Sequence, residues 1–511
     1  MDPILQGVLL SVSIGSLLGI LLGVTLGQVL GAIPGLTAAI AVALLVPFSF
    51  YFDPWVGIPM MLAMFKGSLF ASSIPAILLR TPGSPAAAAT VIDGYPLARA
   101  GKGGKAMYTV LYASVCGGTF SDVVLIIGAS LLAAVAIRFG PGEYVVIVIF
   151  AMTTLVAMNR GSSWKGIVAV LAGVLLGCIG LDPITGTERL TFANPELFDG
   201  LGLIPLLIGL LAIAEVFRQL EEPVGNLTRR MIVFSKRRED NRLSLDEARM
   251  LVPTIFRSSV IGTLIGALPG LGATVAAFIA YNEARRTASN PDEFGKGSLQ
   301  GVAAPEAANN AVGGASLIPL LAFGIPGDVA AALILGALLI HGITPGPLAF
   351  ASNPVPLYAI FSALLIANVA NLAVGMALIP AAKRMVAIPK RMLFPIIIVI
   401  AAAGAFAMRG SLFDVQVMFL FGIIGWAMLK LGYPPLLLLI GFILAPILER
   451  SARQTVILAD AAGGWFAFAL SRPLFMLLAV IASVLLALAL RERMRLKEAL
   501  VPPADARVLR D

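Results

Sequence analysis

Residues 72–83 read SSIPAILLRTPG, and residues 316–327 read SLIPLLAFGIPG. The two stretches align at a constant offset of 244, and in each the second proline follows the first by seven positions (Pro75 to Pro82, Pro319 to Pro326). Alanines follow both, at 86–88 and 330–332. A second pair precedes the first in each case. GAIPGL at 31–36 matches GALPGL at 266–271, and Gly27, Gly31 and Gly35 align with Gly262, Gly266 and Gly270 at an offset of 235. Two motif pairs in the same order point to an internal duplication, with a Pro-Gly break twice in each half.

The breaks sit in apolar sequence. Of 511 residues 59% are hydrophobic and 13% charged, where a soluble domain carries about 25% charged residues. Runs long enough to cross a bilayer recur along the chain, among them 7–30, 106–137, 355–379 and 466–490. The pattern predicts an all-α polytopic membrane protein with roughly 10–14 membrane-embedded segments, some of them re-entrant. The start, Met1-Asp2-Pro3, lacks the basic region of a secretory signal, so none is expected. Cys116 and Cys178 lie in apolar segments and read as small core residues, with no disulfide framework or zinc site implied.

The net charge of +8 comes from basic residues between and after the apolar runs, a pattern of membrane topology and not of nucleic-acid binding. Segment 218–250 holds eight Lys/Arg and six acids, and the tail from Arg491 holds six more basic residues. The positive-inside rule places both in the cytoplasm. No Lys or Arg precedes Lys66, which puts the N-terminus outside and requires an odd number of crossings. The expected organisation is a first membrane repeat over 1–217, a cytoplasmic basic linker over 218–250, a second repeat with C-terminal helices over 251–490, and a cytoplasmic tail over 491–511. After the second break the first half is basic (Arg99, Lys102, Lys105), whereas 341–354, HGITPGPLAFASNP, has no Lys or Arg. That asymmetry favours inverted repeats. Arg450 and Arg453 fit this count if 434–462 is a re-entrant hairpin. The row Gly15, Gly19, Gly23, Gly27, Gly31 predicts close helix packing, deep in the protein.

Proline removes a helix hydrogen bond and glycine loosens the chain further. Freed backbone groups at membrane depth need protein partners or a cavity. A half-helix starting after each break offers amides and a positive dipole end to an anion. The substrate-binding candidates are therefore Pro34, Gly35, Thr37, Lys66, Ser72, Ser73, Thr81, Pro82, Gly83, Pro269, Gly270, Thr274, Ser316, Pro326 and Gly327, with Ser84 and Thr90 nearby. Each hydroxyl alone has an ordinary alternative, a bond to its own helix backbone.

APEAANNA at 304–311 places Glu306, Asn309 and Asn310 at i, i+3 and i+4, on one helix face. An ionisable group inside a membrane helix is costly and usually functional. With Asp328 these residues are the cation-coupling candidates, for Na⁺ or for a proton on Glu306; no cofactor and no other metal is expected. At the 244 offset Asn310 corresponds to Lys66, in PMMLAMFKGSLF. The ammonium either pairs with a substrate carboxylate, takes the place a cation fills in the other half, or snorkels to an interface. Asp93-Gly94 reads as a turn. His341 reads as a helix-end residue. Asp182, Glu188 and Asp199 lie in a polar loop over 181–200 and read as solvated or capping groups.

GAIPGL…LLVPFSF at 31–50, SIPAILLRTPGSPAAAATVIDGYPLARAGKGGKA at 73–106 and GVAAPEAANNAVGGASLIPLLAFGIPGDVAAALILGALLIHGITPGP at 301–347 resemble the large membrane subunit of tripartite tricarboxylate transporters. The resemblance runs over roughly 10–480, and PEAANN with GIPG and HGITPGP is its most specific part. It implies a multi-pass subunit of the bacterial inner membrane that works with a small membrane subunit and a periplasmic solute-binding protein. It also implies ion-driven import of an organic carboxylate. Phe65-Lys66-Gly67 departs from the pattern, because an aromatic residue followed by glycines is commoner there.

The leading expectation is therefore secondary active uptake of a tricarboxylate, dicarboxylate or aromatic carboxylate; a passive carboxylate channel is the alternative. No GxxxxGK[ST] is present for nucleotide binding. Neither HExxH nor GxSxG occurs, and there is a single histidine, so an enzyme is not expected.

Overall fold

The computed structural model describes residues 2–136, 138–158, 162–182, 185–221, 235, 237–346, 349–350, 354–382 and 390–484. The basic linker lies mostly outside them, as does the tail over 491–511. The described chain is almost wholly helical. One two-stranded ribbon, β1 (Gly180–Leu181) with β2 (Glu188–Arg189), pairs antiparallel in register Gly180 to Arg189.

In chain order the helices are α1 (Pro3–Ser11), α2 (Ile14–Gly31), α3 (Ala38–Ser49), α4 (Pro54–Ala71), α5 (Ser73–Leu79), α6 (Ala87–Leu97), α7 (Gly103–Ala136), α8 (Pro141–Met158), α9 (Ser163–Gly177), α10 (Leu203–Leu207) and α11 (Ala214–Glu221). A single turn, α12 (Arg238–Asn241), leads to α13 (Leu245–Gly266), α14 (Gly272–Thr287), α15 (Leu299–Ala315), α16 (Leu317–Phe323) and α17 (Val329–Ile340). The rest are α18 (Val355–Leu378), α19 (Lys390–Arg409), α20 (Leu412–Leu431), α21 (Pro435–Ala461), α22 (Trp465–Ser471) and α23 (Pro473–Val484). Among the described residues eight helical stretches are long and apolar enough to cross a membrane. Five shorter apolar helices and the bent pair α22–α23 accompany them. Residues 434–462 are not a hairpin: α21 runs as one continuous helix from Pro435 to Ala461, through Pro446.

The helices form two compact units. One is built from the described parts of Met1–Ile137 and Leu201–Leu431, the other from those of Arg138–Gly200 and Gly432–Asp511. In the second unit α21 packs on α8 and α9. Its polar end is tied by Arg453 and Arg189, which both reach Asp182 and Glu449. Asp182 is thus a buried ion-pair partner and not a solvated loop residue, since two guanidinium groups converge on it; it also caps a turn at Thr185 N.

In the first unit α4 and α15 are the central helices, buried along nearly their whole length. The glycine row explains how α2 reaches α4. A Cβ on Gly23 or Gly27 would strike the carbonyl oxygens of Met60 and Met64, and one on Gly31 would lie 2.7 Å from Ser68 O. The backbones touch because no side chain intervenes. Only that face is deep, however. Leu17, Leu18, Leu21 and Leu22 on the other face are exposed, as suits a helix whose outer solvent is hydrocarbon. The same physics corrects the reading of Cys116, which is exposed on α7; on a membrane helix an apolar position need not be a core position.

The α13–α15 pair repeats the α2–α4 contact. A Cβ on Gly262 would strike Ala308 O, and one on Gly266 would lie 2.8 Å from Val312 Cα. Ala308 and Val312 correspond to Met64 and Ser68 at the 244 offset.

Candidate functional site

The two sets of breaks share their backbone turns but differ in how the breaks bond to one another. Gly35 and Gly270 take positive φ of 88° and 95°, a conformation that glycine adopts without a Cβ clash. At the ends of α4 and α15, Ser72 (φ −60°, ψ −19°) and Ser316 (φ −65°, ψ −16°) turn the chain into α5 and α16. Both short helices end in left-handed residues, Arg80 and Gly324, which correspond at the 244 offset. The N–H of Thr81 donates to Pro75 O, and that of Ile325 to Pro319 O, each at 3.3 Å. In the second half the two breaks meet directly, Gly270 N donating to Gly327 O at 3.0 Å. In the first half Gly83 N donates to Ser72 O at 3.0 Å, and a Cβ on Gly83 would sit 3.2 Å from Gly31 O. Gly35 O accepts from Gln219 Nε2 at 2.6 Å.

The half-helix N-termini are less open than the breaks suggest. Thr37 caps α3 through Ile40 N, Ser84 accepts from Ala87 N at the start of α6, and Asp328 caps α17 through Ala331 N at 2.8 Å. The first turn of α14 has no side-chain cap. Ser72 donates to Leu69 O and Ser316 to Gly313 O, three residues back, and Thr81 to Leu79 O. Thr274 stands in the first turn of α14, partly buried.

Glu306 of α15 meets residues beside the first set of breaks. Its Oε1 accepts from the hydroxyl of Ser73, at the start of α5, and from Thr90 Oγ1 of α6 at 2.5 Å. Its Oε2 accepts from Ser114 Oγ of α7 at 3.5 Å. Asn310, one turn on, donates from Nδ2 to Ser114 Oγ at 2.9 Å and to Glu306 O at 3.1 Å. Glu306, Ser73 and Thr90 are all fully buried. A carboxylate in such a place, whose side-chain partners among the described residues are hydroxyls, can take a proton or share its oxygens with a metal cation. Asn309 is buried with neither its amide nitrogen nor its oxygen hydrogen-bonded. Buried polar groups are rarely left so.

A second cluster lies further along α7. Lys66 Nζ of α4 donates to both oxygens of Asp122, at 2.7 and 2.8 Å, and Asn368 Nδ2 of α18 donates to Asp122 Oδ2 at 2.6 Å. Lys66 is 1% and Asp122 0% exposed, so the ammonium does not snorkel to an interface. Gly118 and Gly314 make the room. A Cβ on Gly118 would sit 3.4 Å from Lys66 Nζ, and one on Gly314 would strike Asp122 Oδ1. Nearby, Gln28 of α2 donates to Asn371 of α18.

Asp122, Ser114 and Asn368 were not among the residues singled out from sequence. Asp122 carried a usable signal, a lone acid in an apolar run; the serine and asparagine carried none. Asp93 also differs from its reading. It stands inside α6, not in a turn, since its carboxylate is satisfied from elsewhere. Its Oδ1 accepts from the N–H groups of Gly295, Gly297 and Ser298, and its Oδ2 from the Tyr281 hydroxyl. His341 is the C-cap of α17, 3.3 Å from the Ser49 hydroxyl.

A polytopic helical protein whose buried interior carries ionisable groups on interrupted helices has the architecture of a membrane transporter component. The chain belongs to the tripartite tricarboxylate transporter TctA family, whose sequence profile matches residues 17–440. It is a multi-pass membrane subunit of that transporter class, not a member of an enzyme family. It is 36% identical over 418 residues, 82% of each chain, to an uncharacterised 52.8 kDa protein in the TAR-I ttuC′ 3′ region of Agrobacterium vitis. A protein in the TAR-II ttuC′ 3′ region of Agrobacterium vitis is 40% identical over 198 residues, 39% of this chain and 82% of that one. No solved structure matches the chain.

Proposed function

We propose that this chain is the permease of a bacterial inner-membrane uptake system that imports an organic carboxylate in symport with Na⁺ or H⁺. A periplasmic solute-binding protein delivers the substrate, and a small membrane subunit completes the complex. The observation that carries the reading is the bonding of Glu306 by Ser73 and Thr90. An ionisable group of one half is gripped by hydroxyls at the broken helices of the other, so its occupancy is tied to how the halves sit.

The two halves, 1–217 and 251–490, act as inverted repeats joined by a cytoplasmic linker, and access alternates as one moves against the other. Cation or proton binds at Glu306, Asn309 and Asn310, with Asp328 at the neighbouring break. The unpaired amide of Asn309 supports this assignment. Substrate carboxylates are held by backbone at the four Pro-Gly breaks and by the hydroxyls beside them, Thr37, Ser72, Ser73, Thr81, Thr274 and Ser316.

The test is reconstitution of the permease with its small subunit and loaded binding protein in proteoliposomes. The expected result is accumulation of carboxylate above the external concentration when an inward Na⁺ or proton gradient is imposed, abolished by the matching ionophore. Equilibration that ignores the gradient would mean a channel.

A further inference from the structure

Lys66 and Asn310 each stand six residues before a hinge serine, Ser72 and Ser316, and each reaches the same helix, α7. Their partners there, Ser114 and Asp122, are eight residues apart, about 12 Å along the axis. The two places differ in one respect. At the first, the carboxylate of Glu306 is held by hydroxyls alone. At the second, the carboxylate of Asp122 already has a unit positive charge on both of its oxygens. A buried carboxylate without a fixed counter-charge either takes a proton or recruits a mobile cation; one with a resident ammonium needs neither.

We propose that Asp122 and Asn368 form a latent monovalent cation site, and that the Lys66 ammonium is its permanent occupant. The geometry suits an alkali ion in the ammonium's place. Two carboxylate oxygens converge on one point, the Asn368 amide lies 2.6 Å from Asp122, and glycines at 118 and 314 keep side chains out. Turning that amide over would present its oxygen as a third hard ligand of the kind that alkali and alkaline-earth cations take. The consequence for coupling, one mobile cation site at Glu306 and one filled by the protein itself, rests on the transport reading above. The binding assay that tests the site does not use transport.

The full chain is purified in detergent and its thermal melting compared in NaCl, KCl and choline chloride at equal ionic strength. Lys66→Met is expected to gain several degrees in Tm from Na⁺ or K⁺ beyond any wild-type response, because the alkali ion replaces the lost ammonium. The double variant K66M/D122N is expected to lose that gain. If Lys66→Met unfolds in choline but is recovered in an alkali salt, the site is equally supported. A folded Lys66→Met with the wild-type ion response would overturn the proposal. So would an extra response that survives in the double variant, or failure of Lys66→Met to fold in every salt while the double variant folds.

Discussion

The hydroxyl of Ser73 donates to the carboxylate of Glu306, joining residues 233 positions apart across the two copies of the break motif. Ser73 is the first residue of α5 and Glu306 lies in mid-α15, so the bond ties the turn that follows α4 to the centre of α15. Thr90 and Ser114 complete the ring of donors.

Replacing Glu306 with glutamine keeps the size and one acceptor oxygen but removes the charge. A hydrogen bond to a charged group contributes about 1.5–3 kcal/mol, so gradient-driven uptake is expected to fall roughly tenfold or more. Ser73→Ala and Thr90→Ala each remove one donor and are expected to reduce uptake by a smaller factor. Initial rates in proteoliposomes, with protein level fixed by blotting, measure this; equal rates for Glu306→Gln and wild type would remove Glu306 from the coupling site.

The α2–α4 and α13–α15 contacts predict matched sensitivity to one methyl group. Gly27→Ala and Gly262→Ala each drive a Cβ into a backbone carbonyl, and each is expected to cost about 1–3 kcal/mol by overpacking. Gly15→Ala meets only a Val56 methyl at 3.1 Å and is expected to stay within about 0.5 kcal/mol of wild type. Melting curves in detergent separate the three.

Asp93 accepts three backbone amides and one hydroxyl, so its role is to hold the 295–298 loop onto α6. Asp93→Ala removes the common acceptor of four donors, two of them buried (Ser298 and Tyr281), and is expected to cost about 2–4 kcal/mol. Tyr281→Phe removes a single bond and is expected to cost about 1 kcal/mol. The losses should be the same with and without carboxylate substrate in the melt; a loss seen only with substrate would make Asp93 a ligand.

Inverted halves predict opposite sidedness for corresponding loops. In a background lacking Cys116 and Cys178, Lys102→Cys is expected to react with an impermeant maleimide only from the cytoplasmic face, and Thr344→Cys only from outside. Both positions are exposed. Reaction of both from one side would mean parallel halves.

Much of this architecture was legible in the sequence because backbone breaks leave residue-type marks. Pro-Gly pairs at two constant offsets marked the breaks between helices, and even the left-handed Arg80 falls opposite Gly324. Glu306 was legible because a carboxylate amid alanines is costly. The rest depended on tertiary contacts that no local pattern records. Asp122 sits in a run whose average hydropathy reads as a plain span, and its partner Lys66 is 56 positions away. Ser114 and Asn368 look like any polar residue in a helix. Asp93-Gly94 has the composition of a turn, yet both lie inside α6, where Gly94 lets Ile77 of α5 approach closely.

Backbone-to-backbone contact at Gly23 and Gly27 in one pair and at Gly262 in the other leaves little side-chain bulk that could slide or repack there. Each pair therefore behaves as a plank of two fused struts. Bending is then expected to concentrate where the struts end, at the serine joints, so a crosslink across Ser72 or Ser316 should stiffen the chain at the one place in each pair that can still flex.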